Sequence, residues 1–160
     1  MKHQPLLYLE TSIFGFYYDE QPRNAIRRES VRMLFRQIEL GILKAVLSPV
    51  TERELNKSLG ANRVGLLALA ELADMLEVDD QEAQRLAALY VDENVIPQAY
   101  AADALHAAYA AVARCDVLVS LNLKHLANEW VSRRLNAINM REGYQLVSIR
   151  TPEEVVQYEE

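Results

Sequence analysis

The stretch 6-LLYLETS-12 joins four apolar residues, Leu6–Leu9, directly to three polar ones. A short apolar run without helical spacing is typical of a strand that is buried on both faces of a sheet. The polar group Glu10-Thr11-Ser12 stands where that strand would end. Two interpretations are open at this point: the polar residues only terminate the strand, or the fold holds an anion, Glu10, at the strand tip for a chemical purpose.

Length, charge and cysteine content limit the classes of protein to which the chain can belong. The chain has 160 residues, a formal net charge of −6 and one cysteine, Cys115. We expect a single domain over residues 1–160, with room for a sizeable core. One cysteine excludes an intrachain disulfide, no apolar run approaches the roughly 18 residues that span a bilayer, and the N-terminus lacks a secretion-signal pattern. These features predict a cytoplasmic protein without a membrane partner.

The acidic balance bears on nucleic-acid binding. A constitutive nucleic-acid binder usually carries a surplus of basic residues, so a net charge of −6 argues against that class. An enzyme that approaches nucleic acid through bound cations stays open, because the carboxylates that hold the cations add to the acidity. The basic clusters at Arg23, Arg27 and Arg28 and at Arg133 and Arg134 are interpreted as solvated helix faces.

Apolar patterns and cap signals divide the chain into alternating strands and helices. Strands are predicted at Leu6–Leu9 and at residues 45–47, 75–78, 117–119 and 145–149. Helices are predicted at residues 24–40, 49–59, 64–73, 80–90, 98–115 and 126–140, and from Thr151 onward. In the alanine-rich helix, close packing on the sheet is predicted for a stripe of Ala101, Leu105, Ala108 and Val112. Strands that alternate with helices predict an α/β sandwich with a mainly parallel sheet.

Polar side chains gather at the predicted strand ends, the region where parallel sheets bind ligands. The residues there, or near the start of the alanine-rich helix, are Glu10, Ser12, Glu54, Asp103, Ser120, Asn122 and Lys124. Glu10, Glu54 and Asp103 can converge at one edge, where a hard cation such as Mg²⁺ or Mn²⁺ would compensate their repulsion. Ser12, Ser120 and Asn122 would fix waters or phosphate oxygens, and Lys124 is expected to help position the substrate.

Each acidic residue also has a structural interpretation. Glu54 fits the last position of a Thr-x-x-Glu capping box, unless Ser48 caps the helix. Asp103 can favour the positive end of a helix dipole, and Glu10 can be an exposed strand terminus. His106, on an alanine-rich helix, is interpreted as a packed, hydrogen-bonded residue rather than a base.

Five segments together resemble the PIN domain, the nuclease fold of VapC-type toxins. The segments are 8-YLETSIF-14, 47-LSPVTEREL-55, 101-AADALHAAYA-110, 116-DVLVSLNLKHL-126 and 150-RTPEEVV-156. The third is the most specific match, and the fourth is similar to a subgroup with Ser-x-Asn followed by Lys-His. The resemblance covers nearly the whole chain.

The resemblance implies a three-layer α/β sandwich around a five-stranded, mainly parallel sheet, and a metal-dependent endoribonuclease. It implies metal-binding acids at Glu10, Glu54 and Asp103, with Asn122 as a further catalytic residue. The implied cofactor is Mg²⁺ or Mn²⁺. The implied partners are an RNA substrate, an antitoxin protein and a second copy of the chain in a homodimer.

The sequence departs from the family pattern at two positions. Glu10 stands where the family usually has Asp, and Asn122 stands where it usually has a fourth acid. A site with three acids should bind divalent metal more weakly than one with four. The departures motivate an alternative: a catalytically weak or inactive PIN-like module that acts by binding protein or RNA.

Overall fold

The computed structural model describes residues 4–58, 60 and 62–158, which form an α/β fold around one sheet. The strands are β1 Leu6–Leu9, β2 Lys44–Leu47, β3 Asp74–Met75, β4 Val117–Val119 and β5 Ser148–Arg150. Their order across the sheet is β3-β2-β1-β4-β5, and each pair of neighbours is parallel. The predicted α/β fold with a five-stranded sheet is therefore confirmed, and the sheet is wholly rather than mainly parallel.

Eight α-helices lie in the described part of the chain. They are α1 Ser12–Gly15, α2 Ala25–Glu39, α3 Pro49–Asn56, α4 Arg63–Ala70, α5 Asp80–Asp92, α6 Ala101–Val112, α7 Glu129–Arg141 and α8 Pro152–Val155. Short 3-10 turns are formed by Phe16–Tyr18, Pro22–Asn24 and Gln98–Tyr100. In these ranges no helix combines the length and the apolar character that a bilayer crossing requires.

The two faces of the sheet carry separate apolar clusters. Tyr8 and Leu118 pack on one face with buried residues of α5, α6 and α7. Leu7, Leu9 and Val119 pack on the other face with buried residues of α1, α2 and α4. Alternate strand residues point to opposite faces, so a strand that is apolar throughout needs a helix layer on each side. The three-layer arrangement follows from the composition of the strands.

Cap signals in the sequence explain several helix boundaries. Gly41 follows α2 with a φ of +75°, a backbone conformation that favours glycine. The Ser48 hydroxyl accepts a hydrogen bond from the N–H of Val50 at 3.1 Å, and Pro49 opens α3 as predicted. Asp79 caps α5 by accepting from the N–H of Gln81 at 2.9 Å.

Some predicted boundaries are wrong, and their neighbours explain why. β3 stops at Met75 because β2 gives way to α3 after Leu47, which leaves residues 77–78 without a strand to pair with. β5 begins only at Ser148, because Val147 donates its N–H to the Asn136 side chain instead of to a strand. The helix predicted at 49–59 ends at Asn56, and Leu59 lies outside the described residues.

Two further helix predictions need correction. α7 begins at Glu129 rather than at residue 126, because the Asn128 side chain accepts the N–H of Trp130 and fixes the start there. On α6 the predicted packing stripe is wrong at Ala101, which is exposed, whereas Ala108 is buried and Leu105 and Val112 pack against the core in partly buried positions. The buried positions of α6 are Ala104, His106, Ala107, Ala108, Tyr109, Ala110 and Ala111. Alanine on nearly every side of the helix leaves no apolar period that would fix its rotation.

The core position of Leu118 yields a stability prediction. Leu118 is 0% exposed, at the centre of β4, so Leu118→Ala should lower the free energy of unfolding by about 2–5 kcal/mol through lost burial and a cavity. Leu146→Ala is the matched control, because Leu146 is 59% exposed, and its effect should stay within about 0.5 kcal/mol. Urea unfolding of both variants measures this, and equal losses would contradict the core assignment.

Candidate functional site

The candidate site lies where the strand order reverses. The chain runs from β1 outward to β2 and β3 and then returns to place β4 on the other side of β1. At such a switch point a crevice forms beyond the carboxyl ends of the two central strands. Glu10 follows β1, and its N–H donates to the carbonyl of Val119 in β4 at 3.1 Å. The two strand ends are thus joined at this edge.

Glu10 is buried, and both of its carboxylate oxygens accept hydrogen bonds. Its Oε1 accepts the hydroxyls of Ser12 and Ser120, each at 2.6 Å, and its Oε2 accepts the N–H of Ser12 at 2.7 Å. The residue is only 4% exposed, so its interpretation as an exposed strand terminus is wrong. A buried carboxylate is tolerated only when hydrogen bonds replace its hydration, and the two serines supply them.

The same serines tie the next loop to the site. Ser12 Oγ accepts the N–H of Leu121, and Ser120 Oγ accepts the N–H of Asn122, both at 2.9 Å. Each hydroxyl therefore donates to Glu10 and accepts from the loop after β4. The predicted grouping of Glu10, Ser12, Ser120 and Asn122 is present in the structure.

Asp103 enters from the first turn of α6. Its Oδ2 accepts the Nδ2–H of Asn122 at 3.0 Å, while Asn122 Oδ1 accepts the N–H of His125 at 3.1 Å. Burial, and then the negative charge of Glu10, raise the pKa of Asp103; the Asn122 bond and the nearby histidines His106 and His125 oppose that rise. Asp103 and Glu10 therefore repel each other across this edge of the sheet.

Glu54 belongs to a second polar group, centred on His106. Its Oε1 accepts the Thr11 hydroxyl at 2.8 Å and lies 2.5 Å from His106 Nε2. Burial alone would raise the pKa of Glu54, but the hydrogen bond and charge of His106, together with the Thr11 bond and the charge of Lys57, lower it overall. Glu54 is thus held in its ionised form, as a partner of His106.

His106 is itself fixed from the other side by Tyr8. The Tyr8 hydroxyl lies 2.7 Å from His106 Nδ1 and 2.6 Å from Ser48 Oγ. Burial raises the pKa of Tyr8, so the hydroxyl stays protonated and can form both of these hydrogen bonds. The interpretation of His106 as a packed, hydrogen-bonded residue is confirmed.

Ser48 decides the alternative roles of Glu54. Its hydroxyl caps α3, and Thr51 Oγ1 donates to the carbonyl of Leu9 at 3.1 Å instead of closing a capping box. The capping-box interpretation of Glu54 is therefore wrong. The glutamate lies beyond the first turn of α3 and turns toward Thr11 and His106.

The fit of this edge to a divalent cation is partial. Glu10 and Asp103 bring together oxygen donors of the kind that Mg²⁺ and Mn²⁺ prefer, and no Lys or Arg of the described ranges pairs with either carboxylate. Glu54, however, is already paired with His106. The described residues contain no group of three or more His, Cys, Asp or Glu side chains that could hold a metal ion. The ligand roles of Glu10, Glu54 and Asp103 stay a prediction.

Lys124 lies on the exposed loop between β4 and α7. Within residues 4–58, 60 and 62–158 its ammonium group forms no ion pair, and its carbonyl accepts from Asn128 Nδ2 at 3.4 Å. The side chain is therefore free to meet an anion near the site. Its predicted role in positioning substrate stays a prediction.

The sequence analysis missed the part played by Tyr8. Leu6–Leu9 was treated as wholly apolar, so no partner was predicted for the Tyr8 hydroxyl, which forms hydrogen bonds with Ser48 and His106. A signal was present, because a tyrosine inside a strand buried on both faces needs a hydrogen-bond partner for its hydroxyl.

Comparison with known proteins adds no assignment. The chain matched no family model and no curated protein.

The raised pKa of Asp103 predicts a stabilising substitution. A folded-state pKa above the usual 3.8 means that this carboxyl favours folding below that pH and opposes it increasingly as pH rises through the folded value. Asp103→Asn should therefore raise the free energy of unfolding at neutral pH, and the gain should shrink below pH 3.8. Asp92→Asn removes an equal charge from an exposed position of α5 and should change little. Thermal unfolding across pH measures both; a destabilised Asp103→Asn protein would contradict the repulsion.

The pairing of Glu54 with His106 predicts a shifted titration. NMR detection of the Glu54 carboxyl carbon should give a pKa below 4.5, and His106→Ala should raise it because the bond and charge are lost. Lys57→Ala, which removes the weakest of the causes, should shift it less. A Glu54 pKa at or above 4.5 in the unmodified protein would contradict the pairing. Stability from this group is present above pH 4.5 and is lost as pH falls through the folded value.

Proposed function

We propose that the protein is a PIN-like, metal-dependent endoribonuclease. The observation that carries the proposal is the repelling pair of Glu10 and Asp103 at the switch point between β1 and β4. A buried carboxylate, Glu10, beside a half-buried one, Asp103, at a ligand-binding edge lowers the stability of the empty fold, and such a cost is typical of a functional site. The sequence resemblance adds the reaction class, hydrolysis of RNA phosphodiesters.

The residues that would hold Mg²⁺ or Mn²⁺ are Glu10 and Asp103, with Glu54 as the third acid. When bound, the cation would supply Lewis acidity that neutralises charge on the phosphodiester. Glu10 keeps room for it, since Oε2 accepts only the N–H of Ser12. Asp103 Oδ1 has no hydrogen-bond partner among the described residues and could accept a proton from an attacking water.

The remaining polar residues would orient these groups. Ser12 and Ser120 hold the Glu10 carboxylate at a fixed angle, and Asn122 does the same for Asp103. His106 and Thr11 hold Glu54. Because the donors are in place before substrate arrives, little reorganisation is needed in the reaction.

The biological setting is supported by the sequence resemblance alone. On that ground we include in the proposal a toxin of a toxin–antitoxin pair, an antitoxin protein as partner, a homodimer and a cytoplasmic location.

A second candidate is a catalytically weak PIN-like module that binds RNA or protein. It is favoured by the engagement of Glu54 with His106 and by Asn122, a neutral side chain where the family usually has an acid. Titration with Mn²⁺ separates the two: the nuclease should bind the ion, and Asp103→Asn should weaken binding. Absence of binding at millimolar Mn²⁺ would favour the module.

The nuclease proposal predicts Mn²⁺-dependent cleavage of a mixed RNA pool. Asp103→Asn should reduce the cleavage rate by about 10²- to 10⁴-fold, the range expected when a positioned acid–base group is lost. Because this variant is expected to be more stable at neutral pH, unfolding would not account for its inactivity.

Asp92→Asn, purified in the same way, is the control and should cleave as the unmodified protein does. Cleavage that is equal in the Asp103→Asn protein would assign the activity to another site or to a contaminant, and would end the proposal.

A further inference from the structure

Tyr100 and His125 form an aromatic pair at the rim of the candidate site. Their ring centroids are 4.0 Å apart and the planes are tilted by 31°. His125 is 9% exposed, whereas Tyr100 is 44% exposed. The imidazole therefore supports the tyrosine ring from the protein side, while much of the tyrosine remains in solvent. The Tyr100 hydroxyl makes no hydrogen bond with any described residue.

The pair is attached to the site through one amide. The N–H of His125 donates to Asn122 Oδ1, and Asn122 Nδ2 donates to Asp103 Oδ2. Tyr100 also stands three positions before Asp103, at the start of α6, so the two side chains emerge from neighbouring parts of one helical turn. The exposed ring and the Asp103 carboxylate therefore lie at the same end of α6.

His125 also has an unsatisfied atom. Its Nε2 is buried and has no hydrogen-bond partner in the described part of the chain. A buried polar nitrogen without a partner costs free energy, so such atoms are normally satisfied by water or by a ligand. An ordered water, or a polar group of a ligand that binds beside the pair, would satisfy this nitrogen.

We propose that Tyr100, supported by His125, is a stacking platform for an unpaired nucleobase next to the phosphodiester held at Glu10 and Asp103. This inference rests on the proposed ribonuclease function and adds to it a residue that contacts the base beside the phosphodiester. Proteins that recognise unpaired RNA bind exposed bases on aromatic rings, which accept any base because each has a π-face. A ring already fixed by a partner loses little rotamer freedom when a base stacks on it.

Lys124 gives the rim a matching charge. It precedes His125 on the exposed loop and has no ion-pair partner in the described ranges, so it can meet the phosphate of the stacked nucleotide. In a chain with a net charge of −6, a local cation beside the platform favours the anionic ligand at this position.

Binding of a labelled single-stranded RNA of mixed sequence, followed by fluorescence anisotropy, tests the platform. The Asp103→Asn protein is used as the background so that RNA is not cut. In that background Tyr100→Phe should bind within about twofold, because the ring is kept. Tyr100→Leu should bind about 5- to 150-fold more weakly, the range that follows from the 1–3 kcal/mol of one base stack. Leucine still covers His125, so loss of fold does not explain the loss of affinity.

Tyr158→Ala is the matched control, because Tyr158 is an exposed tyrosine outside the site, and it should bind as the background does. Equal affinity of the Leu and Phe variants would overturn the platform, whether both bind well or both bind poorly. Failure of the background protein to bind the RNA would overturn it too.

The test also separates this inference from the nuclease proposal. Ring-dependent binding by a protein that does not cleave RNA would reject the nuclease and leave the platform in place. Cleavage by the unmodified protein, with affinity that is independent of the Tyr100 ring, would reject the platform alone.

Discussion

The structure depends on how one buried carboxylate is satisfied. Glu10 stands at the end of the central strand, where its charge would be costly without donors. The hydroxyls of Ser12 and Ser120 donate hydrogen bonds to this carboxylate from two different segments, the start of α1 and the end of β4. The hydrogen bonds that solvate the charge therefore also hold together the segments that enclose the site. Removing one partner would leave the other atoms buried and unpaired, which usually costs more than the bond itself contributes.

The two polar groups at this edge have opposite electrostatic characters. Burial and the negative charge of Glu10 raise the pKa of Asp103. Around His106, a donor faces Glu54 and lowers the pKa of that carboxyl. Glu54 thus has a donor partner that favours its charged form, whereas Asp103 lies beside the like charge of Glu10. Groups whose surroundings push their pKa values apart are a recurring feature of sites that do acid–base work.

Local signals in the sequence were enough for much of the fold, and non-local contacts account for what was missed. β1 and the Ser48-Pro49 helix start each depend on a few adjacent residues, and each was predicted. The limits of β3 and β5 depend on which residues of the neighbouring strand remain available for pairing, and they were predicted wrongly.

The candidate site shows the same division. The cluster of Glu10, Ser12, Ser120 and Asn122 could be predicted because parallel strands bring their carboxyl ends to one edge. The attachment of Glu54 to His106 could not, since it depends on the rotation of α6. An alanine-rich helix does not specify that rotation by its apolar pattern, and the hydrogen bond between Tyr8 and His106 is part of what fixes it.

Asn122 and Glu10, the two positions that differ from the PIN pattern that the sequence resembles, both reduce the cost of the carboxylates at this edge. A fourth acid at position 122 would add a third negative charge beside Glu10 and Asp103 and would raise the pKa of Asp103 further. Asn122 instead donates a hydrogen bond to that carboxyl and opposes the rise. Glu10 is longer than Asp by one methylene, and its carboxylate reaches both serine hydroxyls and the Ser12 N–H. Glu10 and Asn122 thus allow hydrogen bonds within the protein to compensate the buried negative charge. A site built this way depends less on a cation for its stability.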